Sequence, residues 1–230
     1  MNDVVRTALR GVGQTLVTLG VVVLLFCVYE LYVTGLVTAR EQDRLGDDLR
    51  ASWAEPPPRP QPGEPETVPA SLDLGQGFAV LHVPALAGYD PWVVVEGTSV
   101  EALKNGPGHI SGTAVPGELG NVVVSGHRTT YGAPFERFDE LVPGSQVVLE
   151  TRSQWFTYTV RGSQIVAPTA VEVTYPVPGG GPAAQPTERL LTLTTCNPKY
   201  SARQRLIVQA ELTATDEKTG GPPAALAAGG

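Results

Sequence analysis

Two cysteines occur in the 230 residues, Cys27 and Cys196. Cys27 lies inside an apolar run and reads as a small hydrophobe. Cys196 closes the segment LLTLTTC and is followed by Asn197-Pro198. Proline cannot donate to a sheet ladder, so it ends the strand and leaves the thiol at a strand terminus beside a loop. A rigid scaffold presents a reactive group from such a position. Alternation places Leu190, Thr192, Thr194 and Cys196 on one face of that strand. Arg205 opens the next strand-like run, RLIVQAEL. If the two strands pair as antiparallel neighbours, Arg205 starts near where Cys196 ends. A guanidinium there lowers a thiol pKa or donates to a developing oxyanion. Arg203, in the intervening loop, competes for that role.

A cysteine nucleophile needs a base or cationic partner, most often histidine. The chain has three, His82, His109 and His127. His127 follows the apolar stretch Asn121–Ser125 and Gly126, so it too stands at a strand end. His82 sits within an alternating strand, and His109, in the turn-like GPGHIS, is placed to line a site. On residue types alone His127 leads and the other two remain open. The bland reading of Cys196 is a packed, inert thiol, and that of Arg205 a solvated charge.

The elements that must position these residues are short and β-rich. FAVLHVPAL, WVVVEG, GNVVVSGHR, SQVVLETRSQWFTYTVRGSQIV, RLLTLTTC and RLIVQAELTA are rich in Val, Thr, Tyr and Phe and separated by turn residues. Pro143-Gly144 marks a turn and Arg152–Gln154 a hairpin connection. Helix is confined to a turn or two at Ser99–Lys104 and another at Phe135–Leu141. Several short strands at this spacing indicate a closed or nearly closed barrel. The Pro/Gly-dense stretch Tyr175–Glu188 reads either as one wall of a substrate groove or as a surface insertion.

Around this domain lie three other segments. Gly11–Tyr29 carries no charge, and apolar character resumes after Glu30 to Val37. About 20 residues of helix cross a hydrocarbon core, and the run exceeds a signal-peptide core, so residues 11–37 read as an uncleaved anchor behind a short tail, 1–10. Lys and Arg counts on its two sides do not fix its orientation. Residues 38–75 read as a charged and then proline-rich linker: Ala39–Ala51 is expected to extend the helix briefly, and Glu55–Pro69 to be an extended, semi-rigid spacer. The folded domain is placed at 76–213, and 214–230 is expected to be disordered. A net charge of −7 and the lack of any Lys/Arg run argue against a nucleic-acid surface.

Read together, these segments resemble a known family. TLTTC at Thr192–Cys196 with Arg205 downstream resembles the sortase signature, and GHRTTYGAPF at Gly126–Phe135 resembles the sortase histidine segment. With WVVVEG, GPGHISGTAVPGELGN and Tyr131, the chain looks most like class E sortases of high-GC Gram-positive bacteria. The resemblance implies an eight-stranded all-β barrel with short helices behind one N-terminal transmembrane helix. It places the catalytic roles on His127, Cys196 and Arg205, and substrate contacts on Tyr131, Thr194, Thr195 and His109. It implies a transpeptidase without cofactor or metal, anchored in the cell membrane with its N-terminus cytoplasmic and its barrel outside. Its expected partners are secreted proteins with a C-terminal LAXTG- or LPXTG-like sorting signal and an amine of a peptidoglycan precursor. A cysteine hydrolase, an L,D-transpeptidase and a tethered binding module are the rival readings. The Ser-His-Gly run usual before an L,D-transpeptidase cysteine is absent.

Overall fold

The computed structural model describes residues 3–55 and 72–227, so most of the expected proline-rich spacer, 56–71, lies outside the described residues. The chain opens with helix α1, Asp3–Val28, passes through one π-helical turn, Tyr29–Val33, and continues as α2, Thr34–Ala54. The strands follow: β1 Gly77–His82, β2 Trp92–Glu96, β3 Gly108–His109, β4 Gly120–Ser125, β5 Gln146–Glu150, β6 Gln154–Val166, β7 Arg189–Asn197 and β8 Gln204–Glu217. They close into a barrel in the order β1-β2-β3-β4-β7-β8-β6-β5.

The barrel forms because alternate residues of each strand are apolar and meet at its axis. Val122 and Val124 on β4, Leu191 and Leu193 on β7, Leu206, Val208 and Ala210 on β8, and Tyr158 on β6 share one buried cluster with Phe135 and Phe138. The opposite residues, including Thr194, Cys196 and Arg205, therefore stand on the outer face. Closure removes free edges, which a short-stranded sheet must otherwise protect. The expected turn at Pro143-Gly144 forms, with Gly144 in the left-handed region, and the β5–β6 hairpin closes through Thr151 N–H to the Gln154 carbonyl at 2.9 Å. The short helix α3, Val100–Asn105, is capped by Ser99, whose Oγ accepts from Ala102 N–H. His109 belongs to β3 rather than to a turn.

The structure draws the outer boundaries differently from the sequence. Within the expected linker, residues 38–54 continue the helix as α2, further than the brief extension expected, and α2 lies along the barrel. Leu45 and Leu49 bury against Val93, Val95 and Ala102 in a second apolar cluster. Gln42 sits in the groove, its Nε2 donating to the Val93 and Asn105 carbonyls while its Oε1 accepts from Val93 N–H. Thr34 and Thr38 are already buried, so the end of the expected span at residue 37 overlaps the docked helix. The charges of α2 concealed this, because Glu41, Arg44, Asp47, Asp48 and Arg50 pair with one another along its solvent side. At the other end, β8 runs beyond residue 213 to Glu217, since 214–217 keep pairing with β6. A short helix, α4 at Ala224–Ala227, follows where disorder was expected.

Two consequences are measurable. Leu49→Ala should lower unfolding free energy by about 2–5 kcal/mol, the usual range for emptying a buried leucine site. A chain starting at residue 76 should melt below one starting at residue 34, because it uncovers the Val93–Val95 face. Equal midpoints in thermal denaturation would show that α2 is not part of the folded unit.

Candidate active site

β7 is the strand that assembles the site. On one side it pairs antiparallel with β8, and the register sets Cys196 directly opposite Arg205. Directly paired residues share a face, with Cβ atoms about 4.5–5.5 Å apart. On its other side β7 pairs in parallel with β4, Ser125 opposite Thr194. The pairing continues one step further, with Gly126 N–H donating to the Thr194 carbonyl at 3.1 Å and Thr195 Oγ1 donating to the Gly126 carbonyl at 2.7 Å. His127 then follows β4 at the same end, and by the same count, as Cys196 follows Thr194. Of the three histidines it alone has this placement. His82, on β1, pairs with Glu150 of β5 at 2.9 Å.

His127 is held by a loop that closes on itself. Phe135 N–H donates to the His127 carbonyl at 3.0 Å and Ala133 N–H to the Thr130 carbonyl at 2.9 Å. Gly126 is needed because a Cβ there would lie 2.9 Å from the ring of Phe135. The Tyr131 ring lies against the imidazole at a centroid distance of 4.8 Å, and Tyr131 itself has φ 52, a conformation unusual for a tyrosine. Burial pushes the His127 imidazole below its ordinary pKa, because desolvation penalises the imidazolium.

Arg128, absent from the sequence reading, ties the two loops together. Its side chain is buried and donates through Nη1 to Asn197 Oδ1 at 2.8 Å and the Cys196 carbonyl at 3.3 Å, while Nη2 pairs with Asp139 at 2.9 Å. The one usable sequence signal was its position directly after the histidine. Arg205 rests its Nη1 on the carbonyls of Ala202 and Gln204, both at 3.0 Å. Its Nε and Nη2 have no protein hydrogen-bond partner among the described residues.

Several expected contacts stand elsewhere. Thr195 points inward, is 2% exposed, and serves the Gly126 carbonyl instead of facing a substrate. His109 is also 2% exposed; Nδ1 lies 2.6 Å from Glu96 Oε2, and Nε2 meets the Ala114 carbonyl and Thr113 Oγ1. Both ring nitrogens are thus engaged and none is offered to a ligand. Thr194 is half-buried on the Cys196 face, and Tyr131 is half-buried beside His127. The Tyr175–Glu188 stretch is not the groove wall near the thiol. It joins a hollow lined by Ala114, Gly120, Asn121, Pro176 and Pro186 at the start of β7. Cys196 lies seven strand residues further on, about 23 Å at the usual rise. The same crossover, through the Val173 and Tyr175 carbonyls, receives both Asn121 Nδ2 bonds and covers the lower half of the β4–β7 face. Among the described residues no group of three or more His, Cys, Asp or Glu side chains is arranged to hold a metal ion.

An outward thiol, an arginine paired with it across the sheet and a half-buried imidazole at the same barrel end are the groups a cysteine acyl-transfer site needs. Residues 81–213 match the Sortase domain family, and the chain belongs to that family. Sortase SrtE1 of Streptomyces coelicolor is 33% identical over 227 residues, covering 95% of this chain and 61% of that protein, so the chain spans less than two thirds of that relative's length. Sortase SrtE2 of the same organism is 32% identical over 222 residues, 93% of this chain and 85% of that one. Sortase E of Streptomyces avermitilis, a solved structure, shares 44% identity at TM-score 0.60 over 67% of this chain and 99% of its own. Sortase E1 of S. coelicolor, solved with a tripeptide in the active site, shares 36% identity at TM-score 0.61 over 66% and 97%. These relatives are class E sortases, the class the sequence motifs resemble.

Titration of His127 by NMR should give a midpoint below about 6.5, the value of a free histidine. The sign for stability follows. The unfolded chain binds the proton first as pH falls, so this group's contribution is complete above about 6.5 and is lost as pH drops through the folded-state pKa. Arg128→Met should cost about 1–3 kcal/mol, since it strands the Asn197 and Cys196 acceptors, and urea unfolding reads this directly.

Proposed function

We propose that this chain is a cysteine transpeptidase that cleaves a C-terminal LAXTG- or LPXTG-like sorting signal between Thr and Gly. It then passes the new C-terminus to an amine of a peptidoglycan precursor. The observation that carries the reading is the register of β7, which pairs Cys196 with Arg205 and sets His127 at the same barrel end.

The chemistry follows from these groups. Burial favours neutral His127 at rest, so it is ready to take the Cys196 proton as the sulfur attacks the threonine carbonyl. The S–C bond forms and the carbonyl π pair moves to oxygen. Arg205 faces that oxygen with its unengaged Nε and Nη2, the electrostatic role of an oxyanion donor. The C–N bond then breaks, and His127 returns the proton to the departing glycine amine. A thioester remains on Cys196. An incoming amine attacks it, His127 takes the amine's proton, and the thiolate leaves and is reprotonated. Tyr131, against the imidazole, and Thr194, beside Cys196, are the residues we assign to signal contact, with Tyr131 at the alanine position. The tripeptide in the S. coelicolor sortase E1 active site supports a peptide-sized groove at this end.

Helix α1 is long and apolar enough to cross a membrane, and none of its residues is buried on the protein. We assign it as the anchor, with the N-terminus cytoplasmic and the barrel on the outer side, where secreted proteins and wall precursors meet.

Incubation with a fluorogenic LAXTG peptide and a glycine-based amine tests this. Wild type should yield the amide product by mass spectrometry, Cys196→Ala none, and Arg205→Ala a kcat lowered about 100- to 1,000-fold, as for loss of one oxyanion donor. Hydrolysed peptide alone, with amine present in excess, would make the protein a peptidase instead.

A further inference from the structure

The anchored reading assumes only that α1 spans a bilayer; the structure says more about which face meets it. The helix does not break between span and barrel. It runs from Asp3 through the π turn to Ala54, and α2 is docked over its length. The barrel is therefore held at a fixed attitude to the span. Its nearest part is the histidine loop. A Cβ at Gly35 would lie 3.7 Å from Gly132 N, and Thr38 Oγ1 donates to the Lys104 carbonyl at 2.8 Å.

The heights agree with a headgroup layer. Tyr29 is exposed directly after the last residue of α1, Val28, where tyrosines mark the membrane–water interface. Gly35 stands six residues on, about 9 Å along a helix axis, against a headgroup region about 5–7 Å deep on each side. The histidine loop thus lies at the outer edge of the headgroups. The same barrel end carries the β7–β8 loop, tied to that loop by Lys199 and Glu136 at 3.7 Å. At its tip Tyr200 is 80% exposed, with Lys199 and the exposed Arg203 on either side. Arg40 is exposed on α2 just past Val37. An aromatic ring among long cationic side chains suits an interface of anionic phosphates over acyl chains.

We infer that the Cys196 end of the barrel rests on the headgroup surface of the bilayer that holds α1, with Tyr200, Lys199 and Arg203 as its contact. This rests on the anchored reading and adds the face, so the catalytic groove opens at the lipid surface and not towards the bulk phase. The opposite end, marked by exposed Leu119 before β4, is then raised by roughly the length of that strand, about 20 Å.

The test uses the full chain with Cys27→Ala and Cys196→Ala, carrying a single nitroxide through Tyr200→Cys or Leu119→Cys. It is reconstituted in nanodiscs of phosphatidylcholine and phosphatidylglycerol doped with a nickel-chelating headgroup lipid. Relaxation of the label at 200 should exceed that at 119 at least fivefold. Equal relaxation at both sites, or none at 200, overturns the inference. Flotation of the same protein with liposomes separates the causes: a chain that floats but shows no relaxation at 200 refutes the face alone, while one that fails to float refutes the anchor and the face together. Spin–spin broadening between labels at 200 would put a second copy on this surface in place of lipid.

Discussion

The site depends on the register of β7 between its two neighbours. A shift of β7 by one residue would turn Cys196 to the barrel interior and Thr195 outward. That register is strongly specified, because Leu191 and Leu193 must face the core with Val122, Val124, Val208 and Ala210. The hydrophobic effect that closes the barrel is thus also what aims the thiol. Polar bonds refine the end of the strand, where apolar packing runs out: Thr195 to the Gly126 carbonyl, and Arg128 to Asn197 and the Cys196 carbonyl. Each joins the cysteine strand to the histidine segment. The proposed catalytic groups on two separate loops are in this way positioned as one rigid unit, which is what orientation-dependent catalysis requires.

A second constraint acts from outside the barrel. Helix α2 fills the face of β1, β2 and α3 that the sheet alone would leave open, with Gln42 satisfying backbone groups at the end of β2. Trp53 near its C-terminus receives the Lys218 ammonium over its ring at 4.0 Å, and Lys218 in turn pairs with Glu150 at 2.6 Å. The helix that leads from the apolar span is therefore fastened to the domain at both ends. In the proposed anchored state, stability and attitude to the membrane come from the same contacts.

Much of this was legible in the sequence where one residue carries one signal. The strand runs, the proline after Asn197, the short helix near Ser99–Lys104 and the Pro143-Gly144 turn all act locally and appear where expected. The antiparallel pairing of Cys196 with Arg205 follows from two strands joined by a short loop. What stayed hidden is long-range. Nothing local states that β4 and β7 pair in parallel. The burial of His109 depends on Glu96 reaching it from the adjoining strand β2. The resemblance placed Thr195 among the substrate contacts, yet strand alternation puts it on the face opposite Cys196. Arg128 was overlooked because a charged residue beside a histidine looks solvated until Asn197 and Asp139 are brought to it. The docking of α2 on the barrel was not legible, because its buried stripe is narrow and its charges dominate the composition.

All of these contacts converge on one chemical claim, that Cys196 carries the acyl group between two amines. Intact-protein mass spectrometry after brief acid quenching, with sorting peptide present and amine omitted, tests it most directly. An adduct equal to the peptide's acyl portion up to threonine should appear. It should map to the fragment containing Cys196, be discharged by hydroxylamine, and be absent from Cys196→Ala. Cleavage of the peptide with no adduct at Cys196 under any quench time, or an adduct on another residue, would contradict it.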